Sequence, residues 1–103
     1  MTELKITKTP LAERDIIDNY VYIAKDNPKA ADNFCDAIYE TLMQISITPL
    51  IGVSHVSGNS KLQNIRIFPV SNYRNYLIFY IPTDDEIKVI RIIRRERDLS
   101  KLI

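Results

Sequence analysis

The stretch NYLIFYIPTDDEIKVIRII, residues 75–93, decides the fold. Two runs within it, Tyr76–Ile81 and Ile87–Ile93, are rich in β-branched and aromatic residues, which favour β-strands. The link between them, PTDD at residues 82–85, has the proline and aspartates of a tight turn. The stretch therefore predicts two neighbouring antiparallel strands.

Two further strands are predicted outside this stretch. The run Leu62–Val70 has the same strand-forming composition, and the turn-prone pair Ser71-Asn72 follows it. Three strands joined by short links predict an antiparallel meander. Near the N-terminus, Leu4 to Thr7 alternates apolar with polar residues and predicts a short first strand.

Between the first strand and the meander, the apolar residues recur at helical spacing. Thr9 and Asn27 are good N-cap residues, and each precedes a proline, which suits the first position of a helix. The pattern predicts one helix from Pro10 to about Lys25 and a second from Pro28. The predicted apolar stripes are Ile16, Ile17, Tyr20, Val21, Ile23 and Ala24 in the first helix, and Ala31, Phe34, Ile38, Leu42 and Ile45 in the second.

The order of elements is strand, helix, helix, strand, strand, strand. Residues 47–60 contain Thr48-Pro49, Gly52 and Gly58-Asn59, and are predicted to be an irregular connection. We predict an α+β fold in which a helical hairpin packs on one face of a mainly antiparallel sheet. At this length we expect a single domain over residues 1–103.

The last two strands are apolar in both alternating sets of side chains. A strand that is buried on one face only should alternate apolar with polar residues, and one helical hairpin covers only one face. We therefore expect the other face to be an uncovered apolar surface, which usually marks a partner site. The alternative is a strongly curled sheet whose second face is covered by residues 47–60 and the C-terminal tail.

The composition argues against several kinds of site. A lone Cys35 argues for a reducing compartment and against a disulfide scaffold. One histidine, His55, with no HExxH or CxxC pair, predicts no metal site, and two glycines cannot build a phosphate-binding loop, so we expect no cofactor. No apolar run is long enough to span a membrane and the N-terminus lacks a signal-like block, so we expect a cytoplasmic protein.

The charge is unevenly distributed along the chain. Residues 1–60 hold five basic and eight acidic residues, whereas residues 61–103 hold nine basic and five acidic ones. This asymmetry favours an anionic partner for the second half of the chain. Two solvated faces of different charge are the alternative.

Arginine is the residue type that is most able to carry a binding function here. Its guanidinium forms forked hydrogen bonds to carboxylates and phosphates, so a cluster can bind an acidic peptide or RNA, or stabilise a developing phosphorane charge. The alternative is that Arg66 and Arg91 pair with acids such as Asp98, and that residues 94–97 form a solvated tail. The candidate partner-binding residues are Arg66, Arg74, Arg91, Arg94, Arg95 and Arg97.

Several short motifs occur in a characteristic order. The segment LAERDIIDNYVYIAKDNPKAADNF, residues 11–34, has an acidic helix start, an aromatic-Ile-Ala end, then Asn-Pro and a pair of alanines before phenylalanine. Pro49 and Gly52 follow the second helix, Arg66 lies in the next strand, and NYLIFYI and IKVIRIIRRERD follow later. Together these motifs resemble toxins of the RelE/ParE superfamily of bacterial type II toxin–antitoxin systems, and most closely the ParE, or plasmid-stabilisation, branch.

The resemblance implies a compact toxin that is held inactive by a small cognate antitoxin, whose C-terminal segment adds helix or strand to the toxin surface. The ParE branch is associated with poisoning DNA gyrase. The first hypothesis is therefore a gyrase inhibitor without catalytic residues, which meets nucleic acid only indirectly through the antitoxin. Many ParE members carry a histidine at about the position of Arg94, so no role of that imidazole carries over.

The alternative hypothesis is a RelE-like, ribosome-dependent mRNA endoribonuclease. That branch uses lysines and arginines with a tyrosine near the C-terminus. Here residues 94–99 hold no tyrosine, and the strand that leads to Arg66 offers only one lysine, Lys61. The candidate catalytic residues of this alternative are Arg66, Arg94, Arg95 and Tyr73, with Tyr76 as a second possible proton-transfer group. A third possibility is a degraded toxin that retains only antitoxin binding.

Overall fold

The computed structural model describes residues 3–55 and 63–95. In chain order its elements are β1 (Lys5–Lys8), α1 (Pro10–Ala24), α2 (Pro28–Ile47), β2 (Val53–Ser54), β3 (Arg66–Val70), β4 (Tyr73–Pro82) and β5 (Glu86–Arg94). The predicted α+β fold and its order of elements are confirmed. The one addition is the two-residue strand β2, within the region that was expected to be irregular.

The five strands form one sheet in the order β1-β5-β4-β3-β2. Strands β3, β4 and β5 make the predicted antiparallel meander. β2 adds to it antiparallel, whereas β1 runs parallel to β5. Because β4 lies at the centre of the sheet, its two faces both need apolar side chains.

Two left-handed asparagines set where the strands of the meander begin. Asn64 has a φ of 67°, which lies outside the extended region of a strand, so β3 begins only after it, at Arg66, and is shorter than predicted. Leu62, where that strand was expected to start, lies outside the described residues. Asn72 has a φ of 66° and allows a tight turn, so β4 begins three residues earlier than predicted, at Tyr73.

Both helices begin as predicted. The Oγ1 of Thr9 accepts a hydrogen bond from Ala12 N at 3.0 Å, and the Oδ1 of Asn27 accepts one from Ala30 N at 3.1 Å. Each cap is followed by a proline at the first helical position. All five apolar residues that were predicted for the buried stripe of α2 are buried.

The predicted apolar stripe of α1 is wrong in part. Ile17 and Val21 are exposed, and the buried positions of this helix are Ala12 and Asp15. The reason is that α1 does not only pack over the sheet. It also lies beside the second half of β5, where β1 has already ended.

Polar side chains of α1 and its cap bind the backbone of β5 along this side. Thr9 Oγ1 donates to Ile90 O at 2.8 Å, and Ile92 N donates to Asp15 Oδ2 at 3.0 Å. Asn19 Nδ2 donates to Ile92 O at 3.4 Å. The helix therefore supplies β5 with hydrogen-bond partners that a neighbouring strand would otherwise provide.

The main core lies between the helices and one face of the sheet, as predicted. It joins Phe34, Ile38 and Leu42 of α2 to Ile78 and Tyr80 of β4, among others. A second cluster on the opposite face consists of Ile65, Leu77, Phe79 and Ile93.

The expectation of an uncovered apolar face on the sheet is wrong. The four residues of the second cluster are all buried, and the ring of His55 packs edge-on against Phe79 with 6.4 Å between ring centroids. The chain after α2 returns over this face at His55 and Ile65, as in the alternative prediction of a covered face. Apolar residues in both alternating sets suit a sheet that is covered on both sides as well as one that awaits a partner.

The exposed apolar surface lies elsewhere. Among the described residues, every large apolar side chain that is well exposed belongs to a helix or to the segment after α2. These residues are Leu11, Ile17, Val21, Tyr22, Tyr39, Met43, Ile47, Leu50 and Val53. Within the described ranges, neither helix is long and apolar enough to cross a membrane.

Candidate binding site at the end of the sheet

Three exposed arginines lie at one end of the sheet, where β4 begins and β5 ends. We call Arg74, Arg94 and Arg95 the arginine cluster. Arg95 N donates to Asn75 O at 2.6 Å, and its Nη2 donates to Arg74 O at 3.1 Å. The backbones of both strands therefore hold the base of the cluster in place.

A tight turn between β3 and β4 forms the border of this site. Asn72, in the left-handed conformation, lies at the start of a surface pocket of about 360 Å³ lined by residues 72–76. Thr41 of α2 fixes the turn, because its Oγ1 accepts from Ser71 N at 2.9 Å and donates to Ala37 O at 2.6 Å. The turn is thus attached to the helical layer.

Aromatic packing attaches the start of β4 to α2. The ring of Phe34 lies 5.3 Å from that of Tyr73, almost perpendicular to it, and 4.7 Å from that of Tyr76. Such edge and tilted contacts are favourable because the positive edge of one ring meets the negative face of another. The two tyrosines are therefore held by the core, and the arginine cluster stands on a rigid base.

An acidic crevice adjoins this basic end of the sheet. A second surface pocket, of about 350 Å³, is lined by Asp36 and Glu40 of α2 together with Asn33, Ala37, Asn72 and Tyr73. Because Asn72 and Tyr73 line both pockets, the acidic side of α2 borders the arginine cluster. The arrangement suits a partner that carries both signs of charge. Over the described ranges, no group of three or more His, Cys, Asp or Glu side chains could hold a metal ion.

Arg91 has a structural role. Its Nε donates to Asp15 Oδ2 at 2.7 Å and its Nη2 donates to Asp15 Oδ1 at 2.9 Å, with both side chains nearly buried. Donating these hydrogen bonds to the Asp15 carboxylate raises the pKa of Arg91, although burial lowers it. Arg91 therefore joins β5 to α1, and the acid that pairs with it is Asp15 of the first helix.

Arg66 also binds its own chain. Its Nη1 donates to Gly52 O at 2.7 Å and to Leu50 O at 3.2 Å. The neighbouring Tyr80 hydroxyl donates to Pro49 O at 2.8 Å and accepts from Gly52 N at 2.9 Å. A Cβ on Gly52 would lie 2.7 Å from that hydroxyl oxygen, so only glycine fits. Arg66 and Tyr80 together fix the segment that follows α2.

The structure thus brings together three of the six arginines named from the sequence. Arg66 pairs with Tyr80 of β4, and Arg94 pairs with Tyr76 of the same strand. Because these two tyrosines are four residues apart, the two arginines lie at levels of the sheet roughly 13 Å apart along β4. Of the four residues of the nuclease alternative, Tyr73, Arg94 and Arg95 share one end of the sheet and Arg66 does not. Arg97 lies outside the described residues.

Sequence reasoning missed the structural roles of Asp15 and Tyr80. Asp15 had a signal that the predicted stripe left out, because a side of the helix drawn through Ala12, Ile16 and Ile23 also includes this charged residue. A charged residue at such a position usually has a buried partner. Tyr80 had no such signal, since any tyrosine in a central strand fits the apolar pattern.

Comparisons with known proteins agree with this fold. The family model of the ParE toxin of the type II toxin–antitoxin system, parDE, matches residues 6–99. No curated protein matches the chain significantly. A chain in the solved structure of the chromosomal ParDE TA system from P. aeruginosa is similar, with a TM-score of 0.70 and 19% sequence identity. The match covers 91% of this chain and 98% of that one, and at this identity it shows the fold alone.

Proposed function

Because the chain belongs to the family of ParE toxins of type II toxin–antitoxin systems, we propose that it arrests growth by inhibiting DNA gyrase and is neutralised by a cognate antitoxin. Such a toxin acts by binding and needs no catalytic residues of its own. We also propose that it acts in the cytoplasm, in keeping with a lone cysteine that can stay reduced there.

The observation that carries the proposal, beside the family, is the arginine cluster. Arg74, Arg94 and Arg95 are exposed on a base that is fixed by backbone hydrogen bonds and by the aromatic contacts of Phe34. Guanidinium groups on a rigid base lose little conformational freedom when they bind carboxylates. The cluster is therefore suited to an acidic surface on a protein target.

The endoribonuclease alternative has less support. The guanidinium of its candidate Arg66 donates hydrogen bonds to the carbonyl groups of Leu50 and Gly52. Arg66 also lies roughly 13 Å from the level of Arg94, measured along β4. Tyr73 packs its ring against Phe34. General acid–base catalysis requires the participating groups to lie within hydrogen-bond reach of one reacting centre. The candidate catalytic residues that include Arg66 are spread over a longer distance than this.

Two assays on the purified chain separate the hypotheses. We expect the wild-type chain to inhibit supercoiling by purified gyrase, and to leave ribosome-bound mRNA intact in a primer-extension assay. The triple variant Arg74→Ala, Arg94→Ala and Arg95→Ala should require about tenfold more protein for the same inhibition, since hot-spot arginines typically contribute that much or more. Arg14→Ala, an exposed arginine of α1, is the matched control and should behave as wild type.

Three results would count against the proposal. Cleavage of mRNA with gyrase unaffected would favour the endoribonuclease. Inhibition of gyrase that is equally strong in the triple variant would move the target site away from the arginine cluster. Absence of any growth defect when the chain is expressed would favour the degraded toxin.

A further inference from the structure

The side of α2 that borders the arginine cluster carries a row of negative charges. Asp32, Asp36 and Glu40 follow one another at intervals of four residues, so they lie one above the other on the helix, and all three are exposed. We call these three residues the acidic ridge. Like charges at this spacing repel each other along a helix. The ridge is therefore stabilised by positive charges that are placed opposite it.

The negative charge of the acidic ridge is available to a partner. Within the described ranges, Asp36 and Glu40 form no ion pair with their own chain. Asp32 accepts a hydrogen bond from the hydroxyl of Tyr20 at 2.7 Å, which leaves its charge in place. The pKa of Cys35 is raised, first by burial and then by the charges of Asp32 and Asp36. The neighbouring thiol thus responds to the negative potential of the ridge.

The acidic ridge and the arginine cluster lie side by side. The acidic crevice, which Asp36 and Glu40 line, shares Asn72 and Tyr73 with the pocket of residues 72–76 beside the arginine cluster. Hydrogen bonds attach the turn between the two patches to α2. The fold therefore holds a negative and a positive patch next to each other on one surface.

A second copy of the chain is the partner that suits both patches. Three carboxylates stand beside three guanidinium groups, so a two-fold axis near the turn at residues 71–73 sets each patch of one copy against the opposite patch of the other. A polyanion would be repelled by the ridge, and a uniformly basic partner would be repelled by the cluster. The formal net charge of the chain is only +1, so two copies do not repel each other strongly at long range.

We propose that two copies of the chain associate through a two-fold contact in which the arginine cluster of each copy lies against the acidic ridge of the other. Such a contact closes as a dimer and does not continue as a filament. Exposed ion pairs are individually weak and are screened by salt, so the dimer forms at high protein concentration and dissociates at high ionic strength. The dimer covers the arginine cluster. In one further step, which rests on the proposed function, the dimer is the form that does not bind gyrase.

An exchange of charges tests the contact on the full chain. Sedimentation velocity at about 100 µM protein in low salt compares the wild type with two double variants, Asp36→Lys with Glu40→Lys and Arg74→Glu with Arg95→Glu. The wild type should dimerise, and about 500 mM salt should weaken its association by about tenfold. Each double variant alone should associate at least about tenfold more weakly, because its contact joins like charges. Mixed in equal amounts, the two variants should dimerise again, because each patch then meets its opposite.

A double variant of α1 is the matched control for the exchange. Glu13→Lys with Asp18→Lys changes the net charge as much as the ridge variant does, at two exposed positions outside both patches. It should dimerise as the wild type does, within about threefold. Thermal unfolding of every variant is measured in parallel and should stay near that of the wild type, because all the altered side chains are exposed.

A cysteine cross-link tests the position of the axis and the covering of the cluster. Ser71→Cys places a thiol in the exposed turn beside the axis, so mild oxidation should link two copies by a disulfide. Ser54→Cys, at an exposed position of the edge strand β2, is the control and should form at least about tenfold less cross-linked dimer. Cys35 is present in both variants. Reduction of the cross-linked Ser71→Cys dimer should increase its inhibition of gyrase by about tenfold, since it uncovers the arginine cluster.

The outcomes separate this inference from the proposed function. A wild type that stays monomeric in low salt, or a mixture of the two double variants that does not dimerise, would overturn the inference. So would a cross-linked Ser71→Cys dimer that inhibits gyrase as strongly as the reduced chain. If the wild type does not inhibit gyrase at all, the proposed function fails, whereas the exchange of charges still decides whether the dimer forms.

Discussion

Asp15 connects two elements through a single carboxylate. It accepts two hydrogen bonds from the guanidinium of Arg91 and one from the backbone N–H of Ile92. One carboxylate therefore neutralises a buried positive charge and also provides an acceptor for a backbone donor at the edge of β5. Removing one member of a buried pair leaves the other charge without compensation. The stability of the contact between α1 and β5 should therefore depend strongly on this residue.

Replacing Asp15 with asparagine tests that dependence. Asp15→Asn keeps the shape of the side chain but removes the charge that pairs with Arg91, so we expect the free energy of unfolding to fall by about 3 kcal/mol. Urea unfolding measures the change. Asp18→Asn, at an exposed position of the same helix, is the control and should change stability by less than about 0.5 kcal/mol. A similar small effect for Asp15→Asn would mean that the pair contributes little.

Tyr80 gives a prediction with a defined pH dependence. Tyr80→Phe removes the hydroxyl that binds Pro49 O and Gly52 N, and leaves two backbone groups without that partner. We expect a loss of about 1 to 3 kcal/mol at neutral pH in chemical denaturation. Tyr73→Phe, at a half-buried tyrosine of the same strand, is the control and should have a smaller effect.

The sign of the pH effect follows from the direction of the pKa shift. Burial raises the pKa of Tyr80 above its ordinary value of 10.0, and this outweighs the lowering by the Gly52 N–H group and by Arg66. The neutral hydroxyl therefore contributes fully below pH 10, and its contribution is lost as the pH rises above 10. The difference in stability between wild type and Tyr80→Phe should therefore shrink only as the pH rises above 10. A difference that grows over this range would contradict the raised pKa.

At the scale of elements, the two helices were largely predictable because their signals are local. Each start is set by a capping side chain followed by proline, and these contacts need only residues within one turn. The buried stripe of α2 followed from spacing alone. The stripe of α1 did not, because a sequence pattern does not reveal that β1 pairs with only the first half of β5 and leaves the second half for α1 to cover.

Thr41 tests how far α2 positions the turn before β4. Thr41→Val keeps the shape of the side chain but removes the acceptor for Ser71 N and the donor to Ala37 O. We expect a loss of stability of about 1 to 3 kcal/mol and faster amide hydrogen exchange over residues 71–76, because the turn loses its attachment. Thr48→Val, at an exposed threonine after the same helix, is the control. Unchanged exchange over the turn would show that the aromatic contacts of Phe34 hold it without Thr41.

At the scale of the whole molecule, the sequence predicted the order of elements and the antiparallel meander but placed the open apolar surface wrongly. Apolar residues in both sets of β4 and β5 correctly indicated two apolar faces. Ile65 and His55 lie on the face that was expected to be free. The arginines show the same limit of prediction from sequence. Arg91 forms a nearly buried ion pair, Arg66 holds the segment after α2, and the residues of the arginine cluster are exposed. Which role each one takes depends on long-range contacts that no local pattern encodes.

A single domain over residues 1–103 predicts one cooperative unfolding transition. The two apolar clusters share the strands β4 and β5, so neither can be lost while the other stays intact. Calorimetry should give a van't Hoff enthalpy equal to the calorimetric enthalpy. Two separate transitions, or a ratio well below one, would contradict the single-domain prediction.

The polar contacts between α1 and β5 bear on the solubility of the protein when it is overproduced. A strand edge with unpaired backbone groups is a template for strand addition and aggregation, and here Thr9, Asp15 and Asn19 occupy that edge. A chain whose first helix is cleaved or loosened would present the second half of β5 to other molecules. Such a chain should lose solubility through intermolecular sheet growth before its remaining core unfolds.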